Sequence, residues 1–383
     1  MKSGAKFKGS TSSVSSSLSH LYYLFSRHRP VNLHNFSENI RGLSSKFTPA
    51  ARQAAVIQLL PNEGLFSVNR LAPFKKDTIL SEIGKSYERM VTMGREEFEK
   101  AFLKSRATGT SSHILPDVYS YLSAGKLYFR SQLDCQDPEV GVFDLKSRAV
   151  QPLRLAKEDP NTTSYQITSL TGLTKSFEVE YYDLVRSTLL RNIFQVWIGN
   201  MAGIFVAYHN TREIFGYEFL NKDEMEASLF QSRRMARLAF DSGLKLFELL
   251  LDAIVSEYGP NDPIRITMKT ETTPRGTNTI IFSELDDLEG LPAEMPTLLK
   301  PRRLKAFRLT LEIVVDDYFV DGPSHILDDS DVKIFYKLEP IKPSSPAVLQ
   351  SYVAFIGELY SNRLDANSPT PVPPTLDLME DKV

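Results

Sequence analysis

Asp134, Asp144 and Lys146 are the residues whose types and spacing suggest chemistry. If the chain turns through Asp137-Pro138-Glu139 into a hairpin centred on Glu139, positions 134 and 144 lie opposite each other. Opposed residues point to one face with Cβ atoms roughly 5 Å apart. Residues two apart share that face, so Gln132 and Lys146 join the carboxylates, while Leu133, Phe143 and Leu145 turn into a core. Two facing carboxylates repel unless something positive lies between them. A divalent cation such as Mg²⁺ or Mn²⁺ does so, and Mg²⁺ prefers one or two carboxylates plus waters and phosphate oxygens. A lysine beside it orients the attacking water or stabilises charge developing at phosphorus. The chemistry expected is metal-assisted phosphodiester hydrolysis.

The elements that must hold these groups read as follows. Strand signals over 126–135 and 141–155 form the hairpin. A long helix over 78–104 precedes it, with Ile79, Ile83, Tyr87, Val91, Phe98 and Phe102 in a stripe interrupted near Gly94. Another strand is expected near 165–170, then one helix over 177–197 and buried strands over 203–208 and 214–219. Helices follow at 223–232 and 234–258, strands at 264–269, 277–282, 307–320 and 332–338, and a helix at 346–361. At the N-terminus a helix over 9–27 leads to a mixed stretch with a short helical part ending near Leu60. Four segments result: 1–60 N-terminal helical, 61–222 core, 223–361 an α+β extension packed on the core, and 362–383 a disordered proline-rich tail.

An acidic residue, any residue, then lysine arises by chance a few times in a chain of this composition, so the tripeptide needs its setting. Asp331-Val332-Lys333, with Asp316 and Asp317 upstream, is a second copy, but it reads as the solvated start of a strand. Asp117, after Pro116, ranks well below Asp134. On the long helix Gly84 and Glu88 lie one turn apart. The glycine would let the helix approach the sheet, and Glu88 could then reach the metal. Asp followed by Asp-x-Lys on the next strand resembles the PD-(D/E)XK nuclease superfamily, and G-x-x-x-E on the preceding helix resembles its lambda-exonuclease-like and RecB-like branch.

More particularly, Phe7-Lys8-Gly9-Ser10-Thr11-Ser12-Ser13, Ile83-Gly84-Lys85-Ser86-Tyr87-Glu88, the Gln132–Lys146 segment and Gly203–Thr211 together resemble the fungal mitochondrial Pet-type family of RNA 5′-end-processing proteins. The resemblance runs from about residue 6 to about 345. It implies an α/β PD-(D/E)XK (restriction-endonuclease-like) core with an N-terminal helix and an α+β C-terminal extension. It further implies metal-dependent, 5′→3′ exonucleolytic action on single-stranded mitochondrial RNA. Mitochondrial RNA polymerase or the degradation machinery would be partners, with inner-membrane association or a matrix location. Glu88, Asp134 and Asp144 would hold Mg²⁺ or Mn²⁺, the Leu145 carbonyl would be a further ligand, and Lys146 would align the water. One departure stands out: RecB-like exonucleases often carry Q-x-x-x-Y on the following helix, whereas here Gln195 has no tyrosine at that spacing. Tyr182 and Arg186 are the substitute substrate contacts.

Composition bounds the alternatives. The chain has 383 residues with 42% hydrophobic and 24% charged, enough apolar material for a substantial core. No run approaches roughly 18 apolar residues, so no transmembrane helix is expected. Cys135 is the sole cysteine, which excludes an internal disulfide and a multi-cysteine zinc site. The histidines show no zinc spacing, and there is no phosphate-binding P-loop, dinucleotide fingerprint or nucleophile elbow. With 45 Lys+Arg against 47 Asp+Glu, any RNA-binding surface must be local. Arg302, Arg303 and Lys305, within five cations in the nine residues 300–308, are candidates, as is the cluster Arg233, Arg234 and Arg237. The first acidic residue is Glu38, after a basic, serine-rich stretch. That is the composition of a transit peptide, yet residues 7–13 resemble family body, so a targeting segment is expected to be missing here. A non-catalytic RNA-binding scaffold and a DNA exonuclease or repair nuclease remain the competing classes.

Overall fold

Serines shape the start of the chain. In the computed structural model, which describes residues 4–71, 79–102, 117–155, 164–292, 295–322, 326–361 and 375–376, β1 (Phe7–Ser10) runs straight into α1 (Thr11–Ser26). The Ser10 N–H donates to Ser13 Oγ at 2.9 Å, satisfying the backbone where strand becomes helix. Leu18, Leu21, Tyr22 and Phe25 are each 1% exposed, and even Ser17 and His20 are buried, so α1 is the central helix of the molecule rather than a wrapping one. His20 donates from Nε2 to the Gln53 carbonyl and accepts the Thr270 N–H at Nδ1. Burial depresses its pKa to about 3, which keeps it neutral.

After α2 (Glu38–Arg41) come β2 (Ala55–Asn62) and β3 (Leu65–Arg70). The expected short helix ending near Leu60 is therefore a strand. Its apolar run is too short for periodicity to separate the two, and burial between β3 and β10 decides. The expected helix over 78–104 is α3 (Ile79–Thr92) and α4 (Arg95–Phe102), parted at Met93-Gly94, with 103–104 outside the described residues. β4 (Val118–Ala124), β5 (Leu127–Leu133), β6 (Cys135–Asp137) and β7 (Gly141–Ala149) follow, then α5 (Gln151–Leu155) where strand was expected to continue. Residues 165–170 form no strand, only an isolated bridge between Ser169 and Ser176. The helix expected over 177–197 is α6 (Phe177–Ser187) and α7 (Leu189–Gly199), broken at Thr188. β8 (Gly203–His209), β9 (Ile214–Asn221), α8 (Lys222–Phe230) and α9 (Arg233–Val255) agree with expectation within a few residues. So do β10 (Ile264–Thr273), β11 (Gly276–Leu285), β13 (Arg302–Val315) with β14 (Tyr318–Val320), β15 (Val332–Ile341) and α10 (Pro346–Ser361); β12 (Leu298–Leu299) was not foreseen. The tail expected to be disordered lies outside the described residues except for β16 (Thr375–Leu376), which pairs with β12.

The main sheet has ten strands in the order β14-β13-β11-β10-β2-β3-β1-β5-β4, with β15 also on β13. Strands from the first three expected segments share it, since β10 pairs with β2 and β5 with β1. A second sheet runs β6-β7-β8-β9. Its β7 and β8 are parallel, joined by the crossover through α5, α6 and α7. α1 packs between the main sheet and helices α7 and α9. Asp134 is the single residue between β5 of one sheet and β6 of the other. The hairpin was thus expected from one continuous strand, but the first strand breaks at Asp134 and only β6 pairs with β7.

Candidate active site

The hairpin turn is built by Asp137, whose Oδ1 accepts the N–H groups of Glu139 (2.8 Å) and Val140 (2.9 Å). Gly141 closes it with φ at 93°, a conformation L side chains rarely adopt. The ladder pairs Cys135 with Phe143, Gln136 with Val142 and Asp137 with Gly141, so Glu139 is its centre. Phe143 is buried against Phe205, with ring centroids 4.8 Å apart, which pins β7 to β8. One step beyond the ladder, the register sets Asp134 against Asp144.

There the backbone ladder is replaced by side chains. Asp134 Oδ2 accepts the Leu145 N–H at 3.1 Å, and its carboxyl lies beside that of Asp144. Asp144 is 4% exposed. The Lys146 ammonium forms an ion pair with its Oδ2. Burial, reinforced by the hydrogen bond and charge of Asp144, pushes Asp134 up from the usual carboxylate range to about 8. Burial opposes the charged form of Lys146, yet Asp144, Asp134 and Glu88 outweigh it and raise its pKa. Lys146 is therefore a fixed cation at neutral pH. Cys135, buried beside the acids, is pushed up to about 12 and stays a thiol.

Glu88 approaches from α3. Gly84 packs on Ser147 of β7, where a Cβ would come within 3.1 Å of the serine Oγ, and Glu88 follows one turn later. Its pKa is raised, first by burial and then by Asp117 and Asp144, against the opposing pull of Arg89 and Lys146. Among the described residues no three carboxylate, imidazole or thiol groups form a ready-made metal cage. Two facing carboxylates do suit an ion that keeps most of its waters.

Asp117 is the residue sequence reasoning underrated. It accepts from Gln132 Nε2 at 3.3 Å and from the Tyr119 hydroxyl at 3.2 Å, and its charge reaches Glu88. Beyond Lys146 on the same face of β7, Arg148 is buried and ion-paired to Asp183, which also takes Arg154. Glu180, 0% exposed, accepts the Gln151 N–H. This cluster was not foreseen; the alternation Asp144, Lys146, Arg148 was its only trace in the sequence.

The other expected contacts sit elsewhere. Tyr182 is 7% exposed, with its hydroxyl donating to the Ser44 carbonyl, and Arg186 lies over its ring and donates to the Lys46 carbonyl. Both anchor the 44–46 segment. Gln195 is half-buried on α7. Arg303 pairs with Asp262 and Lys305 with Glu257, while Arg302 is exposed. These three lie on β13, six strands from β5, on the order of 25–30 Å across the sheet from Asp134. In the second Asp-x-Lys, Lys333 pairs with Asp317 and Asp331 at the surface, as a solvated strand start should.

Helix, carboxylate hairpin with lysine, crossover helices and a further parallel strand make this an α/β protein of PD-(D/E)XK type. Comparison with known proteins narrows this class. The family model described as "Mitochondrial protein Pet127" matches residues 1–252 of the 383, and the chain belongs to that mitochondrial family. A Schizosaccharomyces pombe relative, named mRNA degradation protein pet127, mitochondrial, is 33% identical over 298 residues, covering 75% of this chain and 56% of the relative. A Saccharomyces cerevisiae relative, whose name links it to the mitochondrial translation system, is 34% identical over 250 residues, 63% of this chain and 29% of its own. The chain thus spans little more than half of one relative and under a third of the other. Among solved structures, Candida albicans Rai1 in complex with pU5-Mn²⁺ overlaps 74% of this chain and 69% of its own at 10% identity and a TM-score of 0.37. Scheffersomyces stipitis Rai1 with (3′-NADP)⁺ and calcium overlaps 70% and 66% at 8% identity and 0.33. Overlaps this partial carry no functional argument.

Proposed function

We propose that the chain is a divalent-metal-dependent ribonuclease of the mitochondrion, acting 5′→3′ on single-stranded RNA in processing and degradation. The observation that carries this reading is the Asp134–Asp144 pair with Lys146 against it. Asp134 and Asp144 would hold Mg²⁺ or Mn²⁺, with the Leu145 carbonyl as a further ligand and Glu88 placed to hold its waters. Such an ion supplies an acidified water and charge at the phosphate. Lys146, held cationic by its acidic neighbours, positions that water and offsets charge on the phosphoryl oxygens. Asp134 gives up its proton as the site fills, since the two carboxylates then face a cation instead of each other. RNA as substrate, the 5′→3′ sense and partnership with RNA polymerase or the degradation machinery rest on the family resemblance and on the name of the fission-yeast relative. No described helix is long and apolar enough to cross a membrane, so inner-membrane association would be peripheral for this part of the chain.

The test is purified full chain with 5′-phosphorylated single-stranded RNA and DNA, in Mg²⁺, in Mn²⁺ and in chelator. Metal-dependent RNA loss from the 5′ end, abolished in Asp144→Asn, is expected. Preference for DNA would make it a DNA nuclease. No cleavage in either metal, with Asp144→Asn behaving as wild type in RNA processing, would make it a scaffold.

A further inference from the structure

A cavity of about 360 Å³ opens beyond the far end of β7, lined by Arg70, Arg154 and Arg191 together with Ser187 and Thr188. No carboxylate lines it among the described residues. Arg191, on the first turn of α7, is largely desolvated beside Arg70 and Tyr23, and its pKa is lowered chiefly by that burial. Among the described residues neither Arg70 nor Arg191 has an ion pair. Arg154 shares Asp183 with Arg148, and Arg148 also donates to Ser187 Oγ and Thr188 Oγ1. Four guanidinium groups, those of Arg70, Arg148, Arg154 and Arg191, thus face two carboxylates, Asp183 and Glu180. The excess is two positive charges, of which Arg70 is exposed and Arg191 largely desolvated, and a desolvated charge is costly unless an anion completes it. The larger cavity of about 770 Å³ beside Arg27, Lys46, Arg52 and Lys269 differs, because Glu271 and Glu358 line it too.

Position connects this cavity to the carboxylates. Asp144, Lys146 and Arg148 alternate along one face of β7, about 13 Å from first to last. Arg148 ends that row against the cavity's own hydroxyls. Buried Ala51, Ala55 and Val56 also line the cavity. A phosphate monoester carries about two charges and three acceptor oxygens, which matches the charge excess and the guanidinium donors.

We propose that this cavity is a subsite for the 5′-terminal phosphate of a strand whose later phosphodiester, more than one nucleotide on, lies at Asp134 and Asp144. The orientation rests on the ribonuclease reading above; the binding of a terminal phosphate does not. The experiment is therefore equilibrium binding in chelator, where no turnover occurs. One oligoribonucleotide is offered with a 5′-phosphate, a 3′-phosphate or neither, and inorganic phosphate is titrated separately. Wild type should prefer the 5′-phosphorylated strand by roughly tenfold or more, the worth of charge-assisted hydrogen bonds to a buried anion. Arg191→Gln should bring that ratio near unity while leaving affinity for the unphosphorylated strand unchanged. Arg70→Gln, at an exposed position that folding tolerates, should reduce it by several-fold. Asp144→Asn should keep it, so loss of cleavage and loss of end recognition read separately. Equal binding of all three strands, preference for the 3′-phosphate, or a preference untouched by both arginine variants would overturn the proposal. Binding of inorganic phosphate without any strand preference would overturn it as well, leaving a site for free phosphate.

Discussion

Asp144→Asn should make the metal-free protein more stable at alkaline pH, although it removes a buried ion-pair partner. Asp134 is raised from 3.8 to about 8, and the hydrogen bond and charge of Asp144 add to the effect of burial. A carboxyl whose folded pKa is raised contributes stability that is complete below its unfolded value and is lost as pH climbs through the folded one. The window therefore runs from about pH 4 to about pH 8. At about 1.4 kcal/mol per unit, a shift of some four units sets a ceiling near 6 kcal/mol. Coupling to its charged neighbours, the counter-charge of Lys146 among them, reduces it to about 2–3 kcal/mol. In Asp144→Asn burial still raises Asp134, but the part of the loss that Asp144 adds disappears. Unfolding in chelator should show wild type and mutant alike near pH 5, with the mutant ahead by roughly 3–6 °C in Tm at pH 8.5. Mn²⁺ should reverse the order by stabilising wild type alone. Parallel pH curves, or a mutant less stable at pH 8.5 in chelator, would refute the claim that Asp144 helps to raise Asp134.

Lys146→Ala should lower turnover on RNA by about 10²–10³-fold while RNA affinity stays within about twofold, because the lysine acts on charge that develops in the reaction. Glu88→Gln should weaken Mn²⁺ binding by about tenfold, read by calorimetry, as expected of a group that orients an ion's waters. Asp331→Asn should leave cleavage and stability unchanged, since its contact with Lys333 is an exposed ion pair. Replacing Arg302, Arg303 and Lys305 together by alanine should change the salt slope of RNA binding by less than about one, against about two if all three met phosphates of a single strand. Two of them are already paired with Asp262 and Glu257.

The candidate site was legible because its chemistry is local. A turn at Asp137-Pro138-Glu139 fixes a register, and a register fixes which side chains face each other; ten residues of spacing carried the Asp134–Asp144 pair without any knowledge of the rest of the fold. What spacing could not show is that Asp134 is where the chain leaves one sheet for another, so its carboxylate caps the Leu145 N–H as well as facing Asp144. That depends on β5 pairing with β1, more than a hundred residues away. The same limit explains the missed strand at 55–62 and the broken helix at Thr188. β2 is a strand because β10 lies beside it, and the break at Thr188 starts α7 at the wall of the arginine cavity. Serines that looked like a leader or a surface cap instead let α1 run buried between sheet and helices, for small hydroxylated side chains bond their own backbone, as Ser19 does to the Ser15 carbonyl. Tyr182 and Arg186 were chosen for their types and spacing on a helix face, and the fold turns both against the 44–46 loop. The arginines that gather near the site, Arg70, Arg148, Arg154 and Arg191, are scattered over more than a hundred residues with no shared period. The crossover between two parallel strands brings Arg154 and Arg191 to the end of β7, where Arg148 closes the row that begins with the two carboxylates, and β3 of the main sheet adds Arg70.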